Sequence, residues 1–211
     1  MPAKTFDKNC RACPRLAAFL DAVQERHADY HCRPVPPFGD PEARLLIVGL
    51  APGMHGANRT GRPFTGDHAG ILLYRTLHQH GFATHSKSIS ADDDLQLMAC
   101  RITNAVKCLP PDNKPVGAEI NTCNAFLANE IAGLPDGAIV LALGGIAHRA
   151  VLKAAGRRQA DFKFAHGAAH DLGRFCLLDS YHCSRYNTNT RRLTPDMFST
   201  VFAEVRSLLD K

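Results

Sequence analysis

Residues 44–50 read RLLIVGL, and from residue 49 to residue 67 the chain continues GLAPGMHGANRTGRPFTGD. An almost unbroken apolar run thus stops in a segment that holds five glycines and two prolines. A short run without polar alternation suits a strand buried on both faces, as in a parallel sheet. Glycines let the backbone approach a ligand closely, and consecutive exposed N–H groups can hold an anion. The segment is not a phosphate-binding P-loop, because the Gly-Lys-Ser/Thr ending is missing. On its own, a loop of this kind reads equally well as a turn.

Three further runs share the character of the first: residues 101–106, 138–143 and 174–179. Helical patterns fall around and between them. One starts near Pro14, with Leu16, Phe19, Leu20 and Val23 on one face; others cover residues 68–80, 117–132 and 146–155. The last is the clearest. Thr194 and Pro195 form an N-cap and first-turn pair, and Phe198, Val201, Phe202, Val205, Leu208 and Leu209 follow at helical spacing. Alternating strands and helices predict a three-layer α/β/α sandwich around a four-stranded parallel sheet, in one domain spanning residues 1–211. Residues 83–99, with Asp92, Asp93 and Asp94, read as a surface loop. Such a sheet binds ligands beyond the carboxyl ends of its strands. Each predicted strand runs into a polar or glycine-rich segment: residues 49–67, 104–115, Gly144-Gly145, and 180–194. All four should meet at one edge.

Composition removes several classes of function. No stretch approaches the roughly 18 apolar residues of a membrane span. The polar Met1 to Asn9 stretch lacks a signal-peptide core, so a cytoplasmic protein is expected. Eight cysteines without an export signal point away from a disulfide framework and toward metal ligands, core thiols or a nucleophile. The formal charge of +5 permits a polyanionic partner without requiring one. Arg185, Arg191 and Arg192 cluster late in the chain, and Arg149, Lys153, Arg157 and Arg158 cluster on a predicted helix and its exit. From charge alone, both groups read as solvated surface.

Taken together, three segments carry more than any one of them. The segment at 49–67 resembles motif 1 of the iron–sulfur, B-type (family 5) branch of the uracil-DNA glycosylase superfamily. ITNAVKCLPPDNKP, from Ile102, resembles the motif 2 region, and YHCSRYNTNTRRLT, from Tyr181, resembles motif 3. The resemblance implies a base-excision enzyme that hydrolyses the N-glycosidic bond of uracil, and of deaminated bases such as hypoxanthine, in double-stranded DNA. It implies that Phe64 stacks on an extruded base beside Gly53, that Asn104 reads the base edge, and that His182 donates a hydrogen bond to the leaving base. Arg185, Tyr186 and Asn187 would form the wedge entering the duplex, with Ser184 beside them among the DNA-binding residues. Arg59, Arg62, Arg191 and Arg192 become candidates for phosphate contacts, which set affinity rather than sequence.

The cysteines fit the same resemblance. Cys10, Cys13, Cys108 and Cys123 match the family's iron–sulfur ligand set in order and approximate spacing. Spacing alone does not separate a [4Fe–4S] cluster from tetrahedral zinc; the resemblance favours the cluster, in a structural role. Cys100 and Cys176 read as core thiols, and Cys32 lacks a neighbouring partner in sequence. Two features depart from better-known relatives. Leu50-Ala51-Pro52-Gly53 offers no carboxylate or amide directly after the first strand, which leaves Asp67 and Asn58 as the polar groups nearest to hand. Of these Asp67 is preferred, although it also reads as an N-cap. Cys183 stands where the family usually carries proline, and no activating partner marks it as a nucleophile. The competing readings are a strict family 4 uracil enzyme, a non-catalytic binder of damaged or abasic DNA, and an iron–sulfur or zinc regulator. A monomer is the default.

Overall fold

The computed structural model describes residues 5–210; of the polar N-terminal stretch, residues 1–4 lie outside that range. Strand β1 (Phe38–Gly39) is followed by β2 (Leu45–Gly49), β3 (Cys100–Asn104), β4 (Ala138–Leu143), β5 (Ala169–Asp171) and β6 (Phe175–Ser180). They form a six-stranded sheet in the order β1-β3-β2-β4-β6-β5. The four strands expected from sequence, β3, β2, β4 and β6, pair in parallel at its centre. β1 and β5 add antiparallel edges that the sequence reading lacked. These edges are two and three residues long, and Ala169-His170-Asp171 carries no apolar pattern. The central strands match their composition: every residue of β2 and β4 is buried. This is what continuous Leu, Ile, Val and Ala runs require when helices cover both faces.

Helices α1 (Pro14–Arg26), α2 (Ala57–Thr60), α3 (His68–Gln79), α4 (Gly117–Ala132), α5 (Gly145–Ala154), α6 (Arg185–Asn189) and α7 (Pro195–Leu209) complete the described chain. On one face, α3 and α7 bury Leu72, Leu73, Leu77, Phe198, Val201, Phe202 and Val205 against Leu45, Ile47 and Ile102. On the other, α4 and α5 bury Leu127, Ile131, Val151 and Leu152 against Leu46, Val48 and Val140. At about 1.5–3 kcal/mol per buried aliphatic or aromatic side chain, these two interfaces dominate the favourable energy of folding. The sandwich is therefore the three-layer one. The Thr194 hydroxyl accepts from the Met197 N–H at 3.2 Å and caps α7. Among the described residues, no helix is long and apolar enough to cross a membrane.

Ion pairs tie α4 to its neighbours. Arg15 of α1 donates two hydrogen bonds to Glu119 of α4, each 2.8 Å long. Lys107, 1% exposed, donates to Glu130 at 2.6 Å. The stretch at 83–99 is less free than a surface loop. Leu95 and Leu97 are buried, Ala83 bridges Leu97, and Asp93 pairs with Arg62.

Candidate active site

The site begins where β2 and β3 end side by side. Gly49 and Asn104 are register partners. A Cβ on Gly49 would collide with Asn104 Oδ1 and come within 2.6 Å of Phe64 Cζ. Only glycine lets the strand pass so close behind both side chains. Phe64 itself has φ 56°, a left-handed conformation that costs a non-glycine residue on the order of 1–3 kcal/mol. Surrounding contacts enforce it. Tyr74 Oη donates to the Pro63 carbonyl at 2.8 Å, and the Phe64 carbonyl occupies the space that a Cβ on Gly70 would need.

Phe64, Asn104 and His182 share one cavity of about 480 Å³, at the carboxyl edge of the parallel strands. The rings of Phe64 and His182 lie 5.9 Å apart with 29° between their planes. Gly53, Asp67, Gly144, Gly145, Ser184 and Arg185 also contribute to its walls, as do Leu50 and Ala51. The position after the first strand is thus apolar within the cavity itself. Asn104 is 3% exposed, and its Oδ1 has no hydrogen-bond partner. A buried acceptor left unpaired costs about 1–3 kcal/mol, which an incoming N–H donor would recover. His182 is half-buried, with part of its surface on the cavity. Burial pushes its pKa down to about 4, so the ring is neutral near pH 7.

Asp67 serves two purposes. Its Oδ1 accepts the Gly70 N–H at 2.8 Å and caps α3. Its Oδ2 faces Gly56, where a Cβ would come within 2.7 Å. Burial raises its pKa, opposed by backbone N–H groups and by His68. Asn58 goes elsewhere. It is fully buried, its Nδ2 donates to Cys32 Sγ at 3.5 Å, and it is not part of the cavity wall. Asn58 is therefore a staple between α2 and the turn at Cys32 (φ 44°), which supplies the partner that Cys32 lacked in the sequence reading. Arg62 is also corrected. Its guanidinium is buried, bonded to Ser88 Oγ, Asp93 and the Ala91 carbonyl, and stacked over Phe38 at 4.3 Å. It cannot reach a phosphate from there.

The other basic candidates remain at the surface. Arg59 and Arg185 flank a second groove together with Lys87, beside the cavity mouth. Arg191 and Arg192 are exposed, the latter over the Tyr181 ring at 4.7 Å. The expected wedge is a short helix rather than a loop. Ser184 caps α6 by accepting from the Asn187 N–H at 3.3 Å, and Asn187 Nδ2 holds the His182 carbonyl at 2.8 Å. Tyr186 is 71% exposed at its tip. Cys183 is buried in the core and stays a packing residue. Sequence reasoning missed His68 and Asn113, both on the cavity wall. His68 Nε2 and Thr188 Oγ1 meet at 3.0 Å, which ties α3 to α6. Neither residue stands out by spacing.

Cys10, Cys13, Cys108 and Cys123 converge on a small apolar cavity that also involves Leu16, Val106 and Phe126. Burial and the neighbouring thiols push Cys108 up to about 12 and Cys123 up to about 11. The Lys107 N–H donates to Cys123 Sγ at 3.3 Å. Four thiols crowded in this way suit a cationic centre, which would hold them as thiolates.

The state of His182 is open to direct measurement. In the folded protein its ring resonances should titrate near pH 4, against an ordinary value of about 6.5. The unfolded chain binds the proton more tightly, so stability from this residue is intact above about pH 6.5 and declines as pH falls toward 4. An NMR titration midpoint between 6 and 7 would contradict the desolvated, neutral ring.

The sequence profile of the Uracil DNA glycosylase superfamily matches residues 36–206. The Type-5 uracil-DNA glycosylase of Thermus thermophilus is 47% identical over 205 residues, covering 94% of this chain and 93% of that protein. The Type-5 uracil-DNA glycosylase of Mycobacterium bovis is 44% identical over 208 residues, covering 94% of this chain and 78% of that protein. A Type-4 uracil-DNA glycosylase of Pyrobaculum aerophilum is 33% identical over 152 residues, covering 72% of this chain and 63% of that protein. The crystal structure of Pedobacter heparinus SMUG2 aligns with a TM-score of 0.52 at 11% identity, covering 100% of this chain and 93% of that chain, a likeness of fold alone. The chain belongs to the Uracil DNA glycosylase superfamily, on its type-5 branch.

Proposed function

We propose that this protein is a monofunctional uracil-DNA glycosylase that hydrolyses the N-glycosidic bond in double-stranded DNA and leaves an abasic site. It acts as a monomer in the cytoplasm. The observation that carries the reading is the unpartnered Asn104 Oδ1, buried in the wall of a cavity bounded by Phe64 and His182. Uracil offers an N3–H donor beside an O4 acceptor, and an amide answers both. Flipping the base costs a few kcal/mol, less for a mismatch, so U·G should be preferred over U·A. Stacking on Phe64 offsets part of that cost.

Bond cleavage leaves an anionic base and a cationic sugar. A neutral His182 donates an N–H to the base O2 as charge develops there, a preorganised contact worth about 10²–10³ in rate. The Asp67 carboxylate, on the same wall, stabilises the sugar cation or orients water. Arg59 and Arg185 hold phosphates at the mouth, with Arg191 and Arg192 further out, and Tyr186 at the tip of α6 fills the gap in the duplex. Hypoxanthine enters the proposed range because the resemblance to the type-5 branch implies deaminated bases beside uracil.

Cys10, Cys13, Cys108 and Cys123 hold a [4Fe–4S] cluster that pins α1 to the segment after β3. The match of these four cysteines, in order and approximate spacing, to the ligand set of the type-5 branch supports the cluster over zinc.

Two experiments test these readings. Purified protein is incubated with duplexes carrying U·G, U·A or hypoxanthine and then treated with alkali. Strand breaks that appear only after alkali are expected. Asn104→Ala should lose about 5–150-fold, equivalent to ~1–3 kcal/mol, and His182→Ala about 10²–10³-fold. Wild-type turnover in both variants would show that the pocket is misassigned, and protection without breaks would favour a non-catalytic binder. The anaerobically purified protein should also be brown and carry about four irons per chain, with the colour lost in Cys108→Ser. A colourless, zinc-bearing and fully active protein would overturn the cluster.

A further inference from the structure

Asp179, His148 and His170 form a buried cluster on the face of the sheet covered by α5, apart from both the cavity and the cysteines. Asp179 on β6 is fully buried, and His148 on α5 is 2% exposed. His148 Nδ1 lies 2.8 Å from Asp179 Oδ1, and His170 Nε2 lies 3.2 Å from Asp179 Oδ2. One ligand atom from each residue falls within 4.8 Å of the other two. Phe162 and Phe164 close the site with their rings.

The hydrogen-bond pattern restricts what this cluster can be. The Phe162 carbonyl can only accept, so the 3.0 Å contact with His148 Nε2 places a proton on that nitrogen. Nδ1 of a neutral ring then presents a lone pair to a carboxylate oxygen. His170 brings a second nitrogen to the other oxygen. His148 must therefore either carry a second proton or share its Nδ1 lone pair with a cation, whereas His170 can meet the carboxylate as a neutral N–H donor or as a second nitrogen ligand. A histidine whose far N–H is fixed by a backbone carbonyl is the usual arrangement around a bound metal. Two imidazoles and a carboxylate suit a borderline divalent ion rather than a hard one.

We propose that His148, His170 and Asp179 form a nitrogen–oxygen site for a divalent ion of the zinc class, which staples the segment between α5 and β6 to the sheet. The site has structural leverage. The segment also carries His166, whose Nδ1 accepts the Tyr181 N–H at 3.1 Å and whose ring stacks on Tyr181 at 5.0 Å. Tyr181 directly precedes His182. An ion at Asp179 would therefore stiffen the strand end that delivers the histidine to the cavity. The inference is independent of the base-excision reading.

Untagged full-length protein retaining its iron is titrated calorimetrically with Zn²⁺, and iron is measured before and after. One equivalent should bind without loss of iron. Trypsin cleavage after the exposed Arg157, Arg158 and Lys163 should slow by about tenfold when zinc is present. His170→Ala alters the most accessible of the three ligands. It should keep the circular dichroism spectrum of the parent, weaken zinc binding by at least about 10–100-fold, and lose the protection from trypsin. Absence of zinc uptake by the iron-bearing parent would overturn the proposal. So would equal uptake by folded His170→Ala protein.

Discussion

The structure turns on the absence of a side chain at Gly49. Here β2 stops being a packed strand and passes, without a Cβ, behind Asn104 and Phe64. Two adjacent parallel strands bring residues far apart in sequence into register. The missing atom then lets the amide and the aromatic ring close on each other across that register. Phe64 accepts a left-handed backbone to reach the place, and Gly70 and Tyr74 hold it there. The sandwich supplies the rigidity, with hydrophobic clusters on both faces fixing the strand ends to which the loops are anchored.

What gathers at this edge is polar chemistry in a dry setting. Asn104 holds an unsatisfied oxygen, His182 is kept neutral, and burial works against ionisation of Asp67. Each of these costs folding energy in the empty protein. In the proposed reaction Asn104 and His182 would gain a partner from the base and its developing negative charge, and Asp67 from the cationic sugar. Leu50 and Ala51, directly after β2, put no polar side chain on the cavity wall, whereas Asp67 does. It is the carboxylate that the structure brings to the cavity wall.

Much of this was legible in the sequence, and for physical reasons. Strands buried on both faces must be apolar throughout, so the four central ones announced themselves. Helices with one buried stripe and a cap, such as α7 behind Thr194, did the same. The convergence of Phe64, Asn104 and His182 followed from parallel topology combined with the motif resemblance. What stayed hidden depends on side-chain direction or on short elements. Asn58 and Arg62 occupy the right loop, but one turns toward Cys32 and the other into Asp93, and loop composition does not encode that choice. The edges β1 and β5 are too short for periodicity to mark. His68 and Asn113 reach the cavity through helix and turn geometry, and His148, His170 and Asp179 meet only once β5 pairs with β6.

The most direct test of the account is the single-turnover rate of uracil release from a U·G duplex by Gly49→Ala protein, with folding checked by circular dichroism and duplex affinity measured alongside. The added methyl should displace the Asn104 amide and the Phe64 ring, at a stability cost of about 1–3 kcal/mol. The folded variant should bind the duplex nearly as the parent does, since the proposed phosphate contacts come from Arg59, Arg185, Arg191 and Arg192 rather than from Asn104 or Phe64, yet release uracil at least tenfold more slowly. A Gly49→Ala protein that excises uracil at the parental rate would contradict the claim that this close approach shapes the base pocket.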